Sequence, residues 1–336
     1  MFLCDISRNL PVHFLIYYQI MQEINVSTVA VIHLLGLQDT HRVTFVVFFL
    51  FFVVYCLTVC GNLLIIALVS YSRILHTPMY FFLTQLSASD IILASDILPN
   101  ILQAVVVKDN IISFTDCIAQ FYFFDVSETA DCLLLTVMCY DRYLAICQPL
   151  HYTRIMTPQF CLRMVIATWI ASTSVVLIHT LTITKLDFCG LNIIDHFFCD
   201  LDPILKLSCS DITAVEIEVT MLSALLVGIP FFMIIISYVN ILVTILQIPS
   251  ITGRQKAFST CSAHLFVVSM YYGTLLCVYL VPNSNQSWDV TKFLSLLYTV
   301  VTPLMNPIIY SLRNKDLRNA VEKVINEFYQ FARNYR

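Results

Sequence analysis

The fold is decided by an uninterrupted apolar stretch, Val43–Val69, with the sequence VTFVVFFLFFVVYCLTVCGNLLIIALV and no Asp, Glu, Lys or Arg. A helix needs about 20 mostly apolar residues to cross the hydrocarbon core of a bilayer. Six further segments meet this requirement: Met79–Val107, Cys117–Ile146, Met164–Thr184, Val219–Leu246, Ala257–Val281 and Phe293–Leu312. Their length and the absence of alternating apolar and polar residues favour helices over barrel strands. The sequence therefore predicts an all-α membrane protein built as a bundle of seven transmembrane helices.

The composition of the whole chain excludes most soluble classes of protein. Of its 336 residues, 59% are apolar and 12% are charged, whereas roughly 25% are charged in an average soluble domain. The net charge is −4, so the protein offers no basic surface to a nucleic acid. The sequence contains no glycine-rich phosphate loop and no nucleophile elbow. We therefore expect neither an enzyme nor a bound cofactor.

Lysine and arginine are distributed unevenly between the two sets of predicted loops, and in membrane proteins the cytoplasmic loops carry the excess. One side holds twelve of the 18: Arg73, Arg142, Arg154, Arg163, Arg254, Lys256, Arg313, Lys315, Arg318, Lys323, Arg333 and Arg336. The other holds six: Arg8, Arg42, Lys108, Lys185, Lys206 and Lys292. We predict that the first side is cytoplasmic. The N-terminus is then extracellular, in a multi-pass protein of the plasma membrane.

The predicted spans divide the chain into three regions. Residues 1–42 form an extracellular N-terminus, residues 43–312 the seven-helix domain, and residues 313–336 a cytoplasmic helix and tail. Apolar residues recur in the tail at helical spacing, at Leu317, Val321, Val324, Ile325 and Phe328. This pattern predicts an amphipathic helix that lies on the inner leaflet, with its basic face toward anionic membrane lipid.

The N-terminal region contains one segment that resembles a targeting signal and one glycosylation sequon. Met1–Ile20 is too short and too polar to span a membrane, and it lacks a clean signal-peptide cleavage site. We interpret it as an extension from an upstream start codon, with Met21 as the working start. The sequon at Asn25 and a second at Asn285 both fall on the predicted outer side. We expect glycosylation at both.

Four short motifs lie at the ends of the spans; the second and fourth mark a broad class of proteins, and the first and third are specific to one branch of it. The four motifs are Pro-Met-Tyr-Phe-Phe at Pro78–Phe82, Asp-Arg-Tyr at Asp141–Tyr143, Lys-Ala-Phe-Ser-Thr-Cys at Lys256–Cys261 and Asn-Pro-Ile-Ile-Tyr at Asn306–Tyr310. From about Asn25 to Asn319 the chain resembles an olfactory receptor of the rhodopsin-like, or class A, G-protein-coupled receptors. The resemblance implies a small-molecule odorant as ligand. It also implies a heterotrimeric G protein of the olfactory Gs type as partner, which raises cAMP.

The Asp-Arg-Tyr motif places an arginine at the cytoplasmic end of span 3. An unpaired arginine at this depth is costly, so we expect an ion pair between Arg142 and Asp141 in the resting state. Release of that pair would expose a fork-shaped cationic donor. The resemblance implies that the donor meets the tail of a G-protein α subunit. The alternative is an arginine that only anchors the helix at the interface.

Four further switch residues follow from the resemblance and from the proline in span 7. Pro307 removes one helical hydrogen bond and lets the span bend beside Asn306. The resemblance implies that Tyr238 and Tyr310 swing toward Arg142 on activation. The alternative is that the bend serves packing alone.

Two carboxylates, Asp90 and Asp131, lie within apolar spans. Carboxylates inside a membrane face the bundle interior and pair with other groups or bind ions. The resemblance places both with Asn306 in one polar cluster that holds sodium or a proton. The alternative is a protonated pair that is hydrogen-bonded to Ser and Asn side chains.

Four cysteines fall on the predicted outer side, which is oxidising and favours disulfides. They are Cys117, Cys189, Cys199 and Cys209, and four cysteines allow three connectivities. The resemblance implies the pairs Cys117–Cys199 and Cys189–Cys209. A copper or zinc site formed by loop cysteines, His196 and acids is an alternative, but we predict no metal.

The ligand is expected in the outer half of the bundle, between spans 3, 5, 6 and 7, because small-ligand pockets are mostly apolar with a few polar groups. The candidate contacts are Phe124, Asp125, Glu128, Thr129, Ser223, Leu226, Tyr272, Leu275, Leu276 and Tyr279. Some of these could instead face lipid or simply pack.

Asp125 and Glu128 lie about 60° apart on one helix and roughly 4.5 Å apart along it. Two carboxylates in an apolar pocket repel each other, and a protonated amine would relieve the repulsion. The alternative is that Glu128 bonds to a hydroxyl inside the bundle and Asp125 turns toward a neighbouring helix.

Two competing functions remain open. One is a non-olfactory class A receptor for a small amine or a metabolite. The other is a secondary transporter, but transporters tend to show internal repeats and interrupted half-helices, and no such repeat is evident in the sequence.

Overall fold

The computed structural model describes residues 30–35, 41–107, 110–189, 192–280 and 288–334. The predicted start extension and the sequons at Asn25 and Asn285 lie outside the described residues. Seven long helices form the bundle. Five are α1 (His41–Tyr71), α2 (Pro78–Val106), α3 (Phe114–Cys147), α5 (Pro158–Ile183) and α8 (Ile251–Leu280). The others contain a π turn: α7 joins Thr213–Ser223, Ala224–Gly228 and Ile229–Gln247, and α9 joins Trp288–Leu296, Leu297–Val301 and Thr302–Arg313. The short helices are α4 (Pro149–Ile155) and α6 (Leu201–Leu205), and α10 (Lys315–Asn334) follows the bundle.

Six of the described helices are long and apolar enough to cross a membrane. The seventh long helix, α3, is also long enough, but it contains several charged residues in its interior. Most of these side chains are buried or half-buried among the other helices, which is where charged groups in membrane helices are found. The predicted seven-helix membrane fold is confirmed. We call the end of the bundle that carries the β-strands the outer end and the opposite end the inner end, following the charge bias.

Several helices begin before the predicted spans because capping residues in the polar flanks start them early. α5 begins at Pro158, where Thr157 accepts a hydrogen bond from the Phe160 N–H. α3 begins at Phe114, where the Ser113 side chain accepts one from the Asp116 N–H. These bonds satisfy backbone donors that have no partner inside the helix. Hydropathy therefore located the apolar, membrane-spanning part of each of these helices. The capping residues set the first residue of the helix.

Pro307 lies inside α9, and α1 compensates for the hydrogen bond that this proline removes. The missing N–H of Pro307 leaves the carbonyl of residue Pro303 without its usual helical donor. Asn62 Nδ2 donates to that carbonyl at 3.2 Å. The helices approach closely because residue 61 is glycine: a Cβ there would lie 3.1 Å from Pro307 Cγ. A neighbouring helix thus satisfies the freed carbonyl, as is usual for prolines in membrane helices.

Pro230 in α7 is compensated in the same way. Its missing N–H frees the carbonyl of Leu226, which belongs to the π turn of α7. The thiol of Cys132 on α3 donates to that carbonyl at 3.2 Å. The thiol therefore links α3 to the irregular part of α7 in the middle of the bundle.

A three-stranded sheet covers the outer end, with β1 (Val31–Leu34) between β2 (Asn110–Ser113) and β3 (Ile193–Ile194). β1 pairs antiparallel with β2 and parallel with β3. Ile32 and Leu34 point inward and are almost fully buried in a cluster with the Cys117–Cys199 disulfide. The segment just before α1 thus holds together two loops that are distant in sequence.

Both disulfides that the resemblance implied are present. Cys117 at the start of α3 is bonded to Cys199, and Cys189 is bonded to Cys209. The first joins the loop between α5 and α7 to the bundle, and the second closes the loop on itself. Within the described residues no three His, Cys, Asp or Glu side chains are close enough to hold a metal ion.

The predicted C-terminal helix is α10, and its apolar face packs against the bundle. Leu317 and Ala320 are buried, and Val321 and Val324 lie against the same core. The hydroxyl of Tyr80 on α2 lies 2.8 Å from Asn314 Oδ1 at the start of the helix. The side chains of Ile325 and Phe328 lie outside the described residues. Lipid binding by α10 stays a prediction.

Candidate functional site

The inner end of α3 holds a buried ion pair. Arg142 Nη2 lies 2.6 Å and Nε 3.0 Å from Asp141 Oδ2, and both side chains are buried. The hydroxyl of Tyr152 on α4 donates to the other oxygen, Asp141 Oδ1, at 2.8 Å. Asp141 therefore has a partner at each oxygen, and the pair expected for a resting state is formed.

A cavity of about 930 Å³ opens beside this ion pair at the inner end. Arg142 and Tyr152 line it, together with residues from the starts of α2, α8 and α10. Lys256, Ser259 and Thr260 from the Lys-Ala-Phe-Ser-Thr-Cys motif contribute to its wall. Three of the four motifs singled out in the sequence thus meet at one cleft, because Pro78–Tyr80 also line it. The cleft is large enough to admit the end of a peptide.

The hydrogen-bond partner of Tyr238 on α7 is His264 on α8. The Tyr238 hydroxyl lies 2.6 Å from His264 Nδ1, and His264 Nε2 lies 3.1 Å from the Leu135 carbonyl oxygen on α3. A carbonyl oxygen only accepts, so Nε2 carries the ring proton and Nδ1 accepts from Tyr238. His264 therefore ties three helices together. Tyr310 is fully buried, and its hydroxyl has no hydrogen-bond partner among the described residues.

The polar cluster is partly assembled in this structure. Asn306 Nδ2 lies 3.0 Å from each carboxylate oxygen of Asp90. Ser89, the neighbour of Asp90, donates to the Ser127 carbonyl on α3 at 3.2 Å. Asp131 is buried on α3, one helical turn after Ser127. Its Oδ1 has no hydrogen-bond partner among the described residues. Asp90 and Asn306 are thus paired directly, and whether the cluster holds an ion stays a prediction.

The candidate ligand contacts on α3 differ in their surroundings. Phe124 is buried, with its ring centroid 5.2 Å from Phe198 and 6.1 Å from Tyr298. Asp125 faces α5, where its Oδ2 lies 3.6 Å from His179 Nδ1. Glu128 is half-buried, and its backbone carbonyl accepts a hydrogen bond from Tyr271. The position of Asp125 agrees with the alternative to amine binding, in which this side chain turns toward a neighbouring helix.

The other candidate contacts are spread over α3, α7 and α8. Tyr272 is buried, and its hydroxyl lies 3.0 Å from Cys132 Sγ. Leu276 is 44% exposed, which is typical of a side chain on the outside of a bundle. Half-buried positions are Thr129, Ser223, Leu226 and Leu275. The side chain of Tyr279 lies outside the described residues. The ligand contacts remain predictions.

The loop segment Asp195–Cys199, which we call the strap, crosses the outer end between α3 and α9. Lys292 Nζ on α9 lies 2.5 Å from Asp195 Oδ1, and His196 Nε2 lies 3.1 Å from Ser295 Oγ. Just after the strap, the Tyr298 hydroxyl donates to Asp200 Oδ2 at 3.3 Å. Polar contacts thus attach this loop to α9 at three successive places.

Burial lowers the pKa of His196 and raises the pKa of Asp200, so that the histidine value falls below the aspartate value. Burial and, to a smaller extent, the nearby Lys292 ammonium lower the pKa of His196 to about 4, while Asp195 opposes the shift. Burial raises the pKa of Asp200 to about 6, although hydrogen bonds from the Leu201 N–H and Tyr298 hold it down. Both groups are therefore uncharged near pH 5 in the folded protein.

These two shifts make opposite contributions to stability as the pH falls. Below about pH 6 folded Asp200 binds a proton that the unfolded chain, with an aspartate pKa near 3.8, does not bind, so acid favours folding. His196 stays neutral while its unfolded counterpart is protonated below about 6.5, so acid disfavours folding. Each contribution is on the order of 3 kcal/mol. From pH 6.5 to 4.5 we expect Asp200→Asn to lose more thermal stability than the wild type, and His196→Gln to lose less.

The melting temperature of the purified protein in detergent measures this difference. Asp202→Asn is the matched control, because Asp202 lies on the same loop, is exposed and pairs with Lys206. Its pH slope should equal that of the wild type. Equal slopes for all four proteins would contradict the assignment of these shifts.

Sequence reasoning did not single out Tyr152, His179, Cys132 or His264, which the structure places in direct contact with predicted site residues. One signal was available for the histidines: a polar ring inside an otherwise uncharged membrane helix usually has a specific partner. The identity of that partner depends on how the helices pack and could not be found from the sequence.

Comparison with known proteins agrees with these features. A family model described as olfactory receptor matches residues 49–328. The chain is similar to Olfactory receptor 1M1 of Mus musculus, with 46% identity over 87% of this chain and 94% of that protein. It is also similar to Olfactory receptor 11L1 of Homo sapiens, with 45% identity over 91% of this chain and 95% of that protein. Olfactory receptor 1468 of Rattus norvegicus is 43% identical over 91% of this chain and 97% of that protein. The chain therefore belongs to the olfactory receptor family, the odorant-sensing G-protein-coupled receptors, which are multi-pass membrane proteins and not enzymes.

Proposed function

We propose that this receptor binds a small, mostly apolar odorant in the outer half of the bundle and activates an olfactory Gs-type protein, which raises cAMP. It acts at the plasma membrane with its N-terminus outside. The observation that carries the proposal is the buried Asp141–Arg142 pair at the edge of the inner cavity. An arginine that only anchored a helix would lie at the lipid interface, whereas this one faces a cleft between helices.

The candidate ligand contacts support an apolar ligand. Phe124, Tyr272 and Leu275 supply aromatic and aliphatic surface, and Thr129 and Ser223 supply hydroxyls. This balance is typical of pockets for small molecules. Cys132 lies close to these candidate contacts. Its thiol is hydrogen-bonded to both the Tyr272 hydroxyl and the Leu226 carbonyl oxygen. A ligand that displaced Tyr272 would therefore disturb α3, α7 and α8 together.

The experiment is a panel of volatile and water-soluble compounds, scored by cAMP in cells that co-express the receptor and an olfactory-type Gα subunit. Cells without the receptor and cells with an unrelated olfactory receptor are the controls. A receptor-dependent rise in cAMP supports the proposal. A secondary transporter is distinguished by flux of the active compound in loaded vesicles, which the proposal expects to be absent.

We expect that an amine has no special advantage as an agonist. The Asp125 carboxylate lies 3.6 Å from His179 Nδ1, so an ammonium group would have to enter a space that this ring already occupies in part. The measurement compares each active amine with its isostere in which methyl replaces the amino group, in the wild type and in Glu128→Gln. Equal potencies are expected. A strong preference for the amine that Glu128→Gln abolishes would contradict this and favour a receptor for amines.

A further inference from the structure

The strap is fixed firmly on its α3 side. Cys199 is bonded covalently to Cys117, and its backbone N–H donates to Gln120 Oε1 at 2.9 Å. Phe198 packs on Phe124. Immediately before the strap, β3 is paired with β1 in the outer sheet. Both ends of this five-residue segment are therefore held, one by a disulfide and the other by strand pairing.

The α9 side is held by non-covalent contacts, which include apolar packing of Phe197 and Phe198 with Tyr298. Lys292 pairs with Asp195, and its side chain is 13% exposed. Ser295 donates its single proton to the Lys292 carbonyl at 2.8 Å, so the His196 Nε2–H must donate to Ser295 Oγ. The Lys292–Asp195 pair is partly exposed and the His196–Ser295 contact is buried, but both are non-covalent and can separate, whereas the disulfide cannot. Any separation between strap and bundle therefore begins on the α9 side.

A π turn divides α9 just below these contacts. The outer piece, Trp288–Leu296, includes Lys292 and Ser295, and the π turn Leu297–Val301 joins it to the rest of the helix. Single π turns inside α-helices are often found at functional sites. Because the strap is held at both ends, the outer piece of α9 is the part free to swing away.

We propose that ligands enter the bundle between the strap and the outer piece of α9, with Lys292 and Ser295 as the latch and the π turn as the hinge. The proposal rests on the ligand site proposed above, because the route leads to that site. Lys292 and Ser295 are positioning residues here. They hold the two walls together without touching the ligand.

The test measures access to the site directly and needs neither an agonist nor a G protein. Thr129→Cys in a Cys132→Ser background provides a reporter thiol on α3 among the candidate ligand contacts. The charged, membrane-impermeant reagent MTSET is applied from outside, and the same background without the reporter gives the labelling of the remaining thiols. Lys292→Met and Ser295→Ala should each speed labelling of the reporter. The expected increase for Lys292→Met is roughly two- to fivefold, the factor that a partly exposed ion pair contributes to an opening equilibrium.

Three further variants make the result specific. Lys292→Arg keeps the ion pair and should label at the starting rate. The double variant Asp195→Lys with Lys292→Asp restores a pair of opposite orientation and should return the rate toward its starting value. Lys206→Met removes an exposed lysine that pairs with Asp202 on the same loop, and it should leave the rate unchanged.

The proposal would be overturned if Lys292→Met and Ser295→Ala left the labelling rate of the reporter unchanged. It would also be overturned if the reporter stayed unlabelled in every variant. A Lys206→Met effect as large as that of Lys292→Met would also overturn it, because the effect would then be one of loop charge. A failure here with a normal cAMP response would leave the proposed function standing. Accelerated labelling with no cAMP response to any compound would support the entry route and contradict the proposed function.

Discussion

Replacing Arg142 with alanine is expected to abolish ligand-stimulated cAMP while most of the receptor still reaches the cell surface. The guanidinium is the cationic donor at the inner cavity, and alanine leaves no group there to meet an acidic or carbonyl partner. Asp141 loses one partner but keeps the hydrogen bond from Tyr152. Because the adjacent cavity admits water, the cost of the unpaired carboxylate stays below the roughly 3–5 kcal/mol of a fully buried pair.

Surface staining and cAMP in the same cells measure both halves of this prediction. Arg163→Ala is the matched control, because Arg163 is an exposed arginine on the same side of the membrane that does not line the cavity. It should signal normally. Arg142→Lys keeps the charge but loses the two-pronged contact with Asp141, so we expect a signal well below that of the wild type. A normal response from Arg142→Ala would remove this residue from the switch.

Cys117→Ser and Cys199→Ser are each expected to prevent delivery to the cell surface. The bond that they remove joins the loop between α5 and α7 to the start of α3. The two cysteines are 82 residues apart in the sequence. A disulfide typically contributes about 2–4 kcal/mol, which is large beside the roughly 5–15 kcal/mol stability of a domain. The strap, the buried strand β1 and Gln120 all depend on this junction, so its loss affects the whole outer end.

Cys161→Ser is the matched control for the disulfide variants, because Cys161 is a buried cysteine in α5 with a free thiol. It should reach the surface in near-normal amounts. Mass mapping of the wild type should recover one peptide pair that contains Cys117 and Cys199. Normal surface staining of both serine variants, or a different partner for Cys117, would show that the junction is not what holds the outer end.

The positions of the membrane helices could be predicted from the sequence because the property that decides them is local. A charge-free stretch such as Val43–Val69 is stable in a bilayer only as a helix, whatever it packs against. Differences arose at the ends: α7 begins at Thr213, whereas the predicted span begins at Val219. The extra turns are polar enough to leave the membrane, so hydropathy does not detect them.

The sequence by itself also brought together Asp141 and Arg142, because adjacent residues at one helix end meet in almost any packing. Only the tertiary structure decided the distant pairs. Tyr238 meets His264 across 26 residues of chain, and Cys132 meets Tyr272 across 140. Successive residues on a helix point about 100° apart, so a small rotation of one helix exchanges one contact for another. The rotation is set by the close packing of all seven helices at once, and no local stretch of sequence determines it.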